Sequence, residues 1–163
     1  MGLRAEVLES PDIPVCASIV RQSFATVADE FGLTRENAAT NAAFLEDDKL
    51  REDLDRGLVM IGLFDDATQV GFTELERNDG VTFFLEKLAV VPECRHRGGG
   101  KLLLDRAAEY VRQGGGKAIS IGVIHENTQL VQWYETYGFT LTGTKIFPHL
   151  PFTVGFMRLS VIG

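Results

Sequence analysis

The sequence has few of the residues that build metal sites and disulfide frameworks. It has two cysteines, Cys16 and Cys94, and three histidines in 163 residues. The cysteines form no close pair with other ligand types, so neither a disulfide scaffold nor a zinc pattern is indicated, and no metal is expected. An excess of positive charge is also missing. Sixteen Lys and Arg stand against 23 Asp and Glu, for a net charge of −7. That excludes a generic nucleic-acid surface and leaves small cations such as amines as the weakly favoured partners. Long apolar runs are absent too. The longest, GLVMIGLF (57–64), is too short to span a bilayer. The stretch MGLRAEVLES has no apolar core of signal-peptide length. It also places Glu6 where an N-myristoylation motif needs Ser or Thr. The expectation is a cytoplasmic protein with no membrane partner.

The composition itself is ordinary: 45% apolar and 24% charged, enough for one core in one domain. Periodicity then divides the chain. Residues 3–9 read as a strand. In 11–32, Val15, Ile19, Val20, Phe24 and Val27 recur at helical spacing, and Gly32 ends the run. Thr34 resembles an N-cap for a second, weakly apolar helical region reaching about Leu54. From 57 the period becomes that of strands, with turns at Asp65–Thr68 and Asn78–Gly80, giving an antiparallel meander over about 57–91. A helix to about Arg112 follows, with Leu103, Leu104, Ala107, Ala108 and Val111 as its buried stripe. Then come a compact strand (117–124), a helix (127–138), and strands at 139–147 and 152–161. The order β-α-α-β-β-β-α-β-α-β-β is a mixed α/β single domain of about seven strands and four helices. Strands 81–91 and 117–124 are expected to be parallel, joined by a right-handed crossover. The final strands are an edge at which a homodimer could pair.

The stretch RHRGGGK (95–101) concentrates bare backbone and positive charge at a strand-to-helix junction. A helix start leaves N–H groups without partners and carries partial positive charge, so the junction suits a phosphate. It is not a Walker A loop: Arg95 stands where its first glycine belongs, and Leu102 replaces the Ser or Thr that would hold magnesium. It is not a dinucleotide fingerprint either, because Leu103 occupies the third glycine position. Arg95-x-x-Gly98-x-Gly100 remains.

With that loop, LEKLAVVPECRHRGGGKLLLDRA and ISIGVIHENTQLVQWYETYGF resemble the GNAT superfamily of acyl-CoA N-acyltransferases over about Thr82–Phe139. The resemblance implies a sheet splayed between strands 81–91 and 117–124, with acetyl-CoA as co-substrate. The pantetheine arm would pair with Leu88, Ala89 and Val90. The pyrophosphate would sit on the loop of Arg95, His96, Arg97, Gly98, Gly99, Gly100 and Lys101. Asn127 and Tyr134 would approach from the other side. The acceptor would be an amine of a small molecule or a protein.

Direct attack by an amine on a thioester needs a base, an oxyanion donor and an acid for the thiolate. Backbone near Val90 is the donor the resemblance implies. Tyr134 is the candidate acid, against a reading as a packed core tyrosine. Glu86 is the candidate base, acting through water, against a simple ion pair with Arg77; Glu74 and Glu76 are weaker alternatives. Strand alternation is expected to place Glu86, Leu88 and Val90 on one side. His149, between two prolines, is a third candidate at the acceptor end. Cys94, lacking a partner base, is read as structural, and Trp133 and Tyr137 as core. A non-catalytic acyl-CoA sensor of the same fold is the alternative function.

Overall fold

A computed structural model describes residues 2–162. Seven strands form one sheet in the order β1-β2-β3-β4-β5-β7-β6. They are β1 (Leu3–Val7), β2 (Val59–Asp65), β3 (Thr68–Arg77), β4 (Thr82–Val90), β5 (Ala118–Ile124), β6 (Thr140–Ile146) and β7 (Thr153–Ser160). Every neighbouring pair is antiparallel except β4 and β5, which run parallel. The four helices are α1 (Ile13–Phe31), α2 (Asp47–Asp55), α3 (Gly99–Gln113) and α4 (Thr128–Tyr137). Among the described residues no helix is long and apolar enough to cross a membrane.

The helix ends follow local chemistry. Asp12 caps α1 by accepting from the Val15 N–H, and Pro14 sits in the first turn, where a missing N–H costs nothing. Gly32 closes α1 in the left-handed conformation, φ 64°. The five residues read as the α3 stripe are all buried. They join Leu63, Phe72 and Ile119 in the main core.

Two expectations change. Thr34 does make a cap-like exchange with Asn37: each side chain accepts from the other's backbone N–H, at 3.2 and 2.8 Å. No α-helix follows, however. The chain makes turns and a short 3-10 segment, Ala42–Phe44, before α2 begins at Asp47. A local cap sets one turn, but this segment lacks the apolar stripe that would pack a long helix. In α1 the buried face is Ile13, Cys16, Ala17, Ile19, Val20 and Ser23, while Val15 is exposed.

The feature that creates the site is a break in the sheet. β4 and β5 are paired only at Thr82–Phe84, opposite Ala118–Ser120. Beyond Phe84 the two strands part. On its other side β4 stays paired with β3, but the register slips between Phe72 and Glu74, so Lys87 and Leu88 together face Thr73. Lys87 takes φ 55°, which marks a β-bulge. The bulge overturns the expected alternation. Phe83 packs edge-on to Tyr110 of α3, and Val90 Cγ2 lies beside Gly99 at the start of that helix. Glu86, one pleat out of step with Phe83, lies on the opposite face. Glu86 and Val90 are therefore on different faces, because one inserted residue reverses the parity of everything after it.

Candidate active site

The gap between β4 and β5 opens into a groove of about 1310 Å³. One wall is β4 from Leu85 to Val90. The glycine loop closes one end, α1 and the 38–42 segment flank it, and the first two turns of α4 line the far side. Of the sequence candidates, Glu86, Leu88, Ala89, Val90, Arg95, His96, Gly98, Gly99, Gly100, Lys101, Asn127 and Tyr134 all line it. Arg97 and His149 are not in the lining. Arg97 turns away to Asp65 at 3.0 Å, which holds that carboxyl below its usual range. His149 is exposed and stacks edge-on with Phe147; its neighbours Leu150 and Phe152 reach the groove instead.

The glycine loop works for two separate physical reasons. Gly98 has φ 80°, a conformation that lets the chain turn from the loop into α3. Gly99 has an ordinary φ but no room: a Cβ there would lie 2.6 Å from Leu63 Cδ2. The helix start is thus pressed onto β2. The first helical bond runs from the Leu102 N–H to the Gly98 carbonyl at 3.1 Å. The amides of Gly99, Gly100 and Lys101 precede it at the positive end of the α3 dipole, where an anion is favoured. Arg95 is committed differently from its sequence reading. Its guanidinium donates to the Ser23 carbonyl at 2.7 Å, to Ser23 Oγ at 3.3 Å and to Thr26 Oγ1 at 3.0 Å, which fastens the loop to α1. Lys101 is exposed and pairs with Asp105 at 3.0 Å.

The N–H of Val91 donates to the Val70 carbonyl of β3. Alternation along the backbone therefore turns the Val90 N–H the other way, into the gap, where it donates to Ser23 Oγ at 3.3 Å. Ser23 is buried and receives both this amide and Arg95, yet it was not singled out in the sequence. The available signal was a hydroxyl at a stripe position of α1, three and four residues beyond Val20 and Ile19.

Tyr134 is the one buried residue of α4, packed edge-on against Trp133 and Phe139 with ring centroids 5.0 and 5.3 Å apart. Among the described residues its hydroxyl has no hydrogen-bond partner. Burial raises its pKa, so at neutral pH it keeps its proton. Asn127 caps α4, its side chain accepting from the Leu130 N–H at 3.3 Å. Trp133, expected in the core, is 37% exposed and lines the groove. Tyr137 donates to Asp105 at 2.6 Å, away from the groove. Cys94 is half-buried at the groove edge.

Glu86 does not pair with Arg77, which bonds the Gly80 and Gly114 carbonyls and lies over the Phe83 ring. Its neighbour is Lys87 Nζ at 3.6 Å. The bulge turns Lys87 inward, where the same Nζ meets Glu74 at 2.8 Å and Asp53 of α2 at 3.2 Å. Arg56 bonds both Asp53 and Glu76, which takes Glu76 away from the groove. Glu74 is fully buried and its Oε1 has no partner. Burial, with the adjacent Asp53 carboxyl adding to it and Lys87 opposing, pushes its pKa up to about 8. Glu74 is therefore largely protonated at neutral pH, and Glu86 is the β4 carboxylate that lines the groove.

Comparison with known proteins agrees with this geometry. The family model described as "Acetyltransferase (GNAT) family" matches residues 24–139. No curated protein matches the sequence. Among solved structures, the ribosomal-protein-S18-alanine N-acetyltransferase of Escherichia coli superposes with TM-score 0.76 at 15% identity, covering 98% of this chain and 94% of that one. The PaiA N-acetyltransferase of Thermoplasma acidophilum, solved with coenzyme A, gives 0.73 at 21% identity, covering 98% and 99%. An aminoglycoside 6'-N-acetyltransferase complexed with coenzyme A gives 0.73 at 15%, covering 98% and 97%. At such identities these likenesses concern the fold.

Proposed function

The chain belongs to the acetyltransferase (GNAT) family and is an acyltransferase, and from that premise we propose that it transfers an acetyl group from acetyl-CoA to an amine by direct attack. The observation that carries this reading is the single groove that joins a glycine-led helix start, an unpaired strand edge and a buried tyrosine whose hydroxyl has no protein partner among the described residues. The amides of Gly99 to Lys101 would hold the pyrophosphate, and the open edge of β4 at Leu88–Val90 would pair with the pantetheine arm.

Each proton has an assigned route. Glu86 accepts a proton from the ammonium, through water, leaving a neutral nucleophile. The amine nitrogen forms a bond to the acetyl carbon as the carbon–sulfur bond breaks. The Val90 N–H faces the gap and, exchanging its bond to Ser23 Oγ, supplies a donor for the oxygen that gains charge. Tyr134 gives its proton to the departing thiolate; the second proton, shed by the acylated nitrogen, passes through water to the Tyr134 phenolate and restores it, while the first leaves Glu86 for solvent. No covalent enzyme intermediate is needed, and Cys94 takes no part. The test is thiol release from acetyl-CoA in the presence of amines. Tyr134→Phe should lower kcat at least about a hundredfold with little change in acetyl-CoA affinity. An unchanged kcat refutes the acid role.

A further inference from the structure

The end of the groove away from the glycine loop is roofed. A second hydrophobic cluster of Ala28, Leu33 and Ala38 is joined by Ile124 at the end of β5 and Phe152 at the start of β7. Ala38, Ile124 and Phe152 also line the groove. The segment after α1 and the connection into β7 are thereby tied together across the splay, by the same side chains that wall the opening. Beside them Phe24 and Val27 from α1, and Leu150, add apolar lining, with Thr26, Thr40 and Asn41 as polar but uncharged neighbours. Only two carboxylates line the groove among the described residues, Glu30 and Glu86. The nearby cation, Lys87, is held closest by Glu74 at 2.8 Å and Asp53 at 3.2 Å, with Glu86 farther off at 3.6 Å. The cationic residues Arg95 and Lys101 belong to the loop at the opposite end.

From this we infer that the acceptor is a small amine with one positive charge on an apolar body, such as an arylalkylamine, and that Phe152 selects it. The inference rests on the acyl-transfer reading of the groove and deepens it. One ammonium finds a carboxylate in Glu86, and the apolar body is buried against Phe24, Leu150 and Phe152. A polycation would bring several charges into a lining with two carboxylates, and each unpaired charge would lose its water without compensation. A folded protein would meet the roof before its amine reached Glu86.

The experiment uses the intact chain with acetyl-CoA and four acceptors: 2-phenylethylamine, spermidine, kanamycin and a ten-residue peptide with a free N-terminus. Thiol release gives kcat/KM, and calorimetry on CoA-saturated protein gives binding. We expect 2-phenylethylamine to exceed the other three by about tenfold or more in kcat/KM. Phe152→Ala should raise its KM about tenfold, with kcat and CoA affinity little changed, and Phe152→Leu should restore most of the loss. A preference for spermidine, kanamycin or the peptide overturns the inference while leaving acyl transfer intact. If no amine is acetylated but 2-phenylethylamine alone binds, the substrate class stands and the acyl-transfer reading falls. If 2-phenylethylamine neither binds nor reacts, the inference is wrong.

Discussion

Glu74→Gln tests the buried charge cluster beneath the bulge. In the folded chain Glu74 is fully buried, 2.8 Å from Lys87, and its pKa is pushed from 4.5 to about 8. The unfolded chain leaves it near its ordinary value. Such a change corresponds to proton binding about 5 kcal/mol tighter in the folded state. The sign follows from which state holds the proton. Between pH 4.5 and 8 the folded chain binds a proton that the unfolded chain has released, so stability falls as pH rises. Below 4.5 both states are protonated and the full stability is present; above 8 both are ionised and the loss is complete. Glutamine keeps the shape and a donor for Asp53 but cannot ionise. Urea unfolding of both proteins from pH 5 to 9 isolates this group, because other titrations cancel in the difference. The variant should gain on the wild type as pH rises, by about 1.4 kcal/mol per pH unit, levelling off above pH 8. Parallel stability curves for the two proteins would refute a neutral buried Glu74.

Three further outcomes follow from the geometry. Gly99→Ala forces a methyl within 2.6 Å of fully buried Leu63 and should lower stability by about 1–3 kcal/mol, read as a shift in the urea midpoint. Ser23→Ala removes an acceptor from the Val90 N–H and one of three from Arg95. It should cost about 1 kcal/mol in denaturant unfolding while kcat is kept; loss of kcat would mean that the hydroxyl acts in the reaction. Asn127→Ala removes the cap of α4 and should cost about 1 kcal/mol in thermal unfolding, with Asn127→Asp retaining most of the stability.

Much of the site was legible because its signals are local. A strand, three glycines among cations and a helix stripe lie within one stretch of chain, and helix-start physics is the same in any fold. Glu86, Tyr134 and the loop apart from Arg97 line one groove. Ser23, Lys87 and Phe152 were not legible, because what distinguishes each is a partner far along the chain: Ser23 meets Arg95, Lys87 meets Asp53, and Phe152 packs with Ala38. The bulge at Lys87 was also hidden. The β4 sequence fits regular alternation, and only the pairing with β3 inserts the extra residue.

The sequence by itself determined the order of the elements, the stripe that buries α3 and the glycine-led start of its first turn, since hydrophobic period and helix termini depend on neighbours within a few residues. The tertiary structure alone decided where β4 and β5 part, which face Glu86 takes, and which carboxylate keeps its proton. Those depend on strand register and on how much water reaches each group, and both are properties of the assembled sheet with α1 and α2 packed against it.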